Sequence, residues 1–223
     1  MIQLQLGIIS ITFHLYGLII GIAACFVYWY VAKNGLNFNI SKKLQNLVFV
    51  VCLPMALIFA RLYHVLDNLV FYRQNISNVL FVWDGGLGII GGLIGILAGL
   101  LIISKITNVK LLSFLNLFFP PLLLAQAIGR LGNIINREPF WPEAIPLTIL
   151  FIGYIFLKRK YRNFKDYGFS YYLIGYGIVR FIEEFFRSDT WRIGNIPVAS
   201  FFSLFMMLLG ILLIYVQFRR FKR

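Results

Sequence analysis

Negative charge, cysteine and histidine are all scarce in this sequence. Eight Asp and Glu stand against twenty-one Lys and Arg, there are two Cys and two His, and only 13% of the 223 residues are charged. Cys25 and Cys52 each sit inside an apolar run, which excludes a disulfide framework and a cysteine-based zinc site. The shortage of charge excludes a soluble domain, whose exterior must face water. A net charge of +13 and a pI near 10.0 raise the question of nucleic acid. That class needs a basic face on a soluble module with aromatics for base stacking, and here the basic residues punctuate apolar runs instead. The first residues carry no basic stretch and no small-residue cleavage site follows, so the N-terminus is expected to be retained. Neither the repeat of a two-half transporter nor a low-complexity stretch is visible.

What is abundant is hydrocarbon: 60% of the residues are hydrophobic and the mean hydropathy is +0.83. Apolar runs extend over Ile8 to Ala32, Leu47 to Leu66, Gly85 to Ile103, Leu111 to Asn133, Ala144 to Leu157, Phe169 to Phe186 and Pro197 to Phe218. A span needs roughly 17–25 residues, and the fifth run is short of that. The placement of Lys and Arg tests the count. Fourteen of the twenty-one basic residues fall after runs one, three and five and in the C-terminal tail, while the other three connections hold only Arg73, Arg137 and Arg192. By the positive-inside rule this pattern predicts seven transmembrane helices, an all-α polytopic membrane protein with its N-terminus outside and its C-terminus cytoplasmic. Residues 1–223 are expected to form one helical bundle domain.

That orientation gives every polar residue within a run a depth. Arg130 lies nineteen residues beyond Leu111, about 28 Å along a helix, near the outer surface. Arg61, His64, Glu184 and Arg187 fall at outer ends as well, with Arg180 deeper. His14, Tyr16, Asp84, Gly85 and Gly86 are at the outer ends of runs that travel inward. Ionisable groups in lipid mark a functional site or an internal ion pair. Arg180, Glu184 and Arg187 share a helical face at i, i+4, i+7, with Glu183 adjacent, and Gln126, Arg130, Asn133 and Arg137 form a second stripe. On the second stripe arginines are expected to outnumber the carboxylates within reach and leave cationic capacity for an anion such as phosphate. The inner half of the runs is nearly devoid of polar groups, which argues against a channel or transporter path. Gly91, Gly95 and Gly99, spaced by four, suit close helix packing. Gly85, Gly86 and Gly88 precede the regular helix, where backbone N–H groups can face an anion.

The stretch Gly129-Arg130-Leu131-Gly132-Asn133-Ile134-Ile135-Asn136-Arg137-Glu138 resembles the signature G-R-x-G-N-x-x-N-x-E of the prolipoprotein diacylglyceryl transferase family. His14-Leu15-Tyr16-Gly17, Trp83-Asp84-Gly85-Gly86 with Gly91-Gly92, and Ile174-Gly175-Tyr176-Gly177 followed by Arg180, Glu184 and Arg187 resemble three further segments of that family in order and spacing. Departures accompany them. Ile90 stands where the family has a histidine before its second glycine pair. Ile145-Pro146-Leu147-Thr148 is all that matches the family's stretch opening the fifth helix, and the extracytoplasmic head before it is missing. Phe140-Trp141-Pro142 and Pro197-Val198-Ala199-Ser200 also differ from the family pattern. These departures bear on turnover and on docking of the protein substrate more than on phospholipid binding.

The resemblance implies a bacterial inner-membrane enzyme that moves diacylglyceryl from phosphatidylglycerol to the lipobox cysteine thiol of a preprolipoprotein, forming a thioether and releasing glycerol phosphate. Arg130 and Arg180, or Arg187, are then expected to neutralise the departing phosphate. His14, positioned by Tyr16, or the Glu138 carboxylate is expected to serve as base for the thiol. Asn133 and Asn136 are expected to orient the head group, with Glu184 and Arg187 beside it, while Gly85 and Gly86 allow close approach. No metal or organic cofactor is implied. The alternative is a catalytically reduced relative that binds phospholipid or a lipoprotein signal peptide without transfer.

Overall fold

The computed structural model describes residues 2–6, 9–13, 15–74, 76–81, 86–134, 141–184, 192–193 and 196–221. Helices account for nearly all of them: α1 Leu15–Asn34, α2 Lys42–Asp67, α3 Leu69–Gln74, α4 Ile89–Thr107, α5 Leu111–Arg130, α6 Trp141–Lys160, α7 Gly168–Glu183 and α8 Val198–Phe221. Among the described residues five stretches, Gly17–Phe38, Lys42–Asp67, Ile90–Thr107, Leu111–Arg130 and Ala199–Arg219, are long and apolar enough to cross a membrane. Two antiparallel strand pairs qualify the all-helical expectation. The pair β1 Ile2–Leu6 and β2 Ile9–Phe13 precedes α1, so the first helix begins at Leu15 and not within the apolar residues from Ile8. A pair of two-residue strands, β3 Arg192–Ile193 and β4 Ile196–Pro197, precedes α8.

Other boundaries shift for local reasons. The fifth run, read as short, belongs to the twenty-residue α6 because the helix takes in Trp141 to Glu143 before the apolar stretch and Lys158 to Lys160 after it. The α-helical part of the fourth run stops at Arg130 and tightens into a 3-10 turn over Leu131–Ile134. Ser41 caps α2 by accepting from the Leu44 N–H at 3.3 Å, and α4 ends on Asn108, whose φ of 56° suits the left-handed position that closes a helix.

The chain divides into two compact units. In the unit of residues Asn34–Phe114, α4 lies against α2 through its glycines. A Cβ on Gly91 would strike the Phe59 carbonyl, one on Gly95 the Met55 carbonyl, and one on Gly99 would lie 2.9 Å from Cys52 Sγ. Small residues at this spacing bring two backbones together where lipid offers no hydrophobic drive for association. The segment leading into α4 is tied down too, since the Gly88 N–H donates to Ala60 O at 2.9 Å. Arg61 donates from Nε to Val79 O at 3.0 Å, from Nη1 to Gly86 O at 3.1 Å and from Nη2 to Asn78 O.

The other unit comprises Met1–Lys33 and Leu115–Arg223. Here α5 and α7 run side by side in the same direction. At their shared starting end Asn116 donates to Asp166 O at 2.6 Å and accepts from the Phe169 N–H at 2.9 Å, satisfying a first-turn donor of α7. Pro120 cannot donate to the Asn116 carbonyl, and Gly168 lies close to that carbonyl, where a Cβ would come within 2.7 Å. Phe119 meets Phe169 and Tyr172 edge-on. Antiparallel to α7, α6 packs Leu150 over Gly175, and Tyr171 donates to Leu150 O at 2.9 Å. Gly177 and Gly210 bring α8 onto α7.

Candidate functional site

These packings carry the far ends of α5 and α7, and the near end of α6, to one place. Arg130 is the last residue of α5, Arg180 stands one turn before the end of α7, and Glu143 is in the first turn of α6. The Glu143 carboxylate bridges the two arginines: Oε2 pairs with Arg130 Nε, and Oε1 accepts from Arg180 Nη1 at 3.1 Å. Arg180 Nη1 also donates to Glu183 Oε2 at 2.7 Å, and its Nη2 lies 3.4 Å from Glu184 Oε2. Glu143 and Glu184 are 3% and 2% exposed. Beneath the cluster Gln126 donates to the Tyr172 hydroxyl at 2.9 Å, and Tyr172 stacks face to face on Tyr176 at 5.6 Å. A buried carboxylate costs several kcal/mol to desolvate unless paired, so this constellation fixes the guanidinium of Arg180 from three sides.

Arg130 is held differently. Its Nε is engaged by Glu143 and its side chain keeps 30% of its surface exposed. Among the described residues neither of its terminal nitrogens has a hydrogen-bond or ion-pair partner. Those two nitrogens form the planar fork that grips a phosphate or carboxylate bidentately.

Of two expectations from the sequence, one falls partly outside the described residues and the other requires correction. Arginines do not outnumber carboxylates in the described part of the cluster, where Arg130 and Arg180 face Glu143, Glu183 and Glu184. Arg137, which that expectation counts, lies outside the described residues. The glycine-rich segment before α4 does not offer its N–H groups at Gly88, because that donor is spent on Ala60. Gly86 has a φ of 70°, and a Cβ there would lie 2.6 Å from the His64 ring and 2.8 Å from Arg61 Nη1. Its glycine character thus answers to α2 packing.

The structure brings Arg130, Arg180 and Glu184 together, the two arginines on Glu143 and Glu184 on Arg180. Tyr16 lies in the first turn of α1 and Asn133 in the 3-10 turn after α5, with their side chains outside the described residues. His14, Gly85, Asn136, Glu138 and Arg187 lie wholly outside them. Ile90, in the place of the family histidine, is 49% exposed near the start of α4. Glu143 was not anticipated. The available signal was scarcity: it is one of only eight acidic residues, and two arginines of the apolar runs needed a counter-charge. Among the described residues no three His, Cys, Asp or Glu side chains gather as metal ligands.

The sequence pattern that defines prolipoprotein diacylglyceryl transferases matches residues 3–148 and 140–216. The chain is similar to a phosphatidylglycerol–prolipoprotein diacylglyceryl transferase of Finegoldia magna, 31% identical over 95% of this chain and 94% of that protein. It is similar to a protein of the same name from Clostridium novyi, 31% identical over 89% of each chain. A third, from Lactococcus lactis subsp. cremoris, is 32% identical over all of this chain and 95% of the relative.

Proposed function

The chain belongs to the prolipoprotein diacylglyceryl transferase family, and from that premise we propose how its residues carry the transfer from phosphatidylglycerol to a prolipoprotein. The reaction breaks the bond between the glyceryl carbon and the phosphate oxygen and forms a bond from that carbon to the thiol sulfur of the lipobox cysteine. The electron pair of the broken bond leaves on glycerol phosphate, and the thiol proton passes to a base. Charge therefore develops on phosphate, and a preorganised cation there stabilises the transition state more than the ground state.

The observation that carries this reading is the convergence of Arg130 and Arg180 on Glu143, with the terminal nitrogens of Arg130 unengaged among the described residues. Arg130 grips the phosphate and Arg180, held by three carboxylates, supplies the second positive pole. Asn133, Asn136 and Arg187 complete the head-group site, and Glu184 steadies Arg180. His14, oriented by Tyr16, or Glu138 takes the thiol proton, and so generates the thiolate that attacks. Around this site the chain spans the bacterial inner membrane seven times as one bundle, with the N-terminus outside, the substrate's lipobox cysteine arriving from that side and the C-terminus in the cytoplasm. The rival, a relative that binds phospholipid or signal peptide without transfer, draws on Ile90 in place of the histidine.

The test is complementation. Expression in a bacterium depleted of its own transferase should restore lipoprotein maturation, Arg130→Ala should abolish the rescue at equal protein level, and Arg130→Lys should leave it impaired. Rescue by Arg130→Ala equal to the unaltered protein would remove Arg130 from the chemistry.

A further inference from the structure

We propose that the hairpin of β1 and β2 is a membrane-surface element, its apolar face seated in the head-group boundary of the leaflet that α1 enters. The register pairs Ile2 with Phe13, Leu4 with Ile11 and Leu6 with Ile9, and between them Gln3 with Thr12 and Gln5 with Ser10. Directly opposed residues share a face, and neighbours along a strand alternate between faces. Six apolar positions therefore fall on one face and four uncharged polar positions on the other. Among the described elements each strand has only the other as a substantial neighbour. A two-stranded hairpin is marginal in water on its own and needs cover for its apolar face.

Two features say what supplies the cover. The first is position. Only His14 separates β2 from α1, and the stretch long and apolar enough to cross a membrane begins at Gly17, about 3 Å of helix beyond Leu15. The hairpin is thus joined to the chain where the chain enters hydrocarbon. The second is charge. No Asp, Glu, Lys or Arg occurs before Lys33, whereas a sheet edge held out in water is ordinarily guarded by charged side chains. An opposite limit applies as well. Among the described residues each strand has one edge without a strand partner, and open sheet edges do not occur within hydrocarbon, where their N–H and C=O groups would go unsatisfied. The apolar face shuns water and the open edges shun hydrocarbon. Both needs are met at the boundary, with lipid under the face and water and head groups at the edges, the balance that holds amphipathic helices there. That seat fixes the level at which α1 begins, and it is independent of the transfer reading.

The test is a spin-label scan of the full-length protein in vesicles of phosphatidylcholine and phosphatidylglycerol. In a background with Cys25 and Cys52 replaced, the label is carried singly by Leu4→Cys, Gln5→Cys, Ser10→Cys, Ile11→Cys, Thr12→Cys and Phe13→Cys. Collision with oxygen, which concentrates in lipid, should dominate at positions 4, 11 and 13. Collision with a water-soluble nickel chelate should dominate at positions 5, 10 and 12, so that the preference inverts from each residue to the next. Charge on the apolar face, introduced as Leu4→Glu with Ile11→Glu, should abolish the oxygen preference at position 13, whereas Gln5→Glu with Ser10→Glu should leave it. Nickel access at all six positions would put the hairpin in water and overturn the proposal, and oxygen preference at all six would bury its edges and overturn it too. Low access to both reagents at positions 4, 11 and 13 would show that protein covers the face, this chain's own helices or a second copy, and would overturn it in favour of that contact. An oxygen preference at position 13 that survives the paired apolar-face glutamates would show that lipid does not seat the hairpin through this face.

Discussion

Arg130 and Arg180 are fifty residues apart in the chain, yet one carboxylate, Glu143, answers to both. The two arginines and Glu184 were legible because charge inside an apolar run is costly and because i, i+4 spacing fixes a common face. Glu143 was not, because its partners lie 13 and 37 residues away in the chain and its own helix presents only an apolar run beginning one residue later. Its importance makes a prediction. Glu143→Ala leaves two guanidiniums facing each other without their shared counter-charge, and should lower stability by about 1–3 kcal/mol, discounted from the buried-pair range because both arginines remain partly exposed. Transfer should fall with it. Thermal unfolding in detergent reads the first effect, and an undisturbed transition would show that the bridge is not a structural element.

Ile90 makes a second prediction at this scale. An isoleucine can neither accept a proton nor bind phosphate, while the arginine site persists, and a general base contributes roughly 10²–10⁴-fold. Slow transfer should therefore be measurable, should drop further in His14→Ala and Tyr16→Phe, and should rise in Ile90→His. Loss of activity in Ile90→His with the fold intact would contradict the idea that position 90 remains open to a base.

At the scale of the helices, close approach is distributed unevenly along α4. A Cβ on Gly95 meets the Met55 backbone, whereas one on Gly92 meets nothing nearer than 3.9 Å. Gly95→Ala should therefore cost about 1–3 kcal/mol through overpacking, and Gly92→Ala should stay within about 0.5 kcal/mol of the unaltered protein. Comparison of their unfolding temperatures checks this, and equal behaviour would mean that α2 and α4 are not in contact as described. The four-residue glycine spacing announced this packing in the sequence. The role of Arg61 was hidden, because a buried arginine reads the same whether it awaits a ligand or, as here, holds three backbone carbonyls of the segment before α4.

For the whole molecule the membrane class and the helical body could be read from hydropathy. The strand pair ahead of α1 left a signal that the apolar run from Ile8 masked: Ile2–Leu6 and Ile9–Phe13 both alternate apolar and polar residues, the period of a strand and not of a helix. Orientation remains a prediction of charge placement. In a background with Cys25 and Cys52 replaced, a cysteine at Asn163 should be shielded from an impermeant thiol reagent in intact cells and one at Asn75 should react. The reverse would invert the proposed topology.

The most direct measurement is mass spectrometry of a lipobox peptide incubated with the purified protein and phosphatidylglycerol at several pH values between about 6 and 9, the interval that spans the reference pKa values of histidine and thiol. Diacylglyceryl transfer predicts a thioether adduct on the cysteine with equimolar release of glycerol phosphate, both strongly reduced by Arg130→Ala. Binding of phosphatidylglycerol with no adduct at any pH would contradict the transferase and leave a lipid-binding protein in its place.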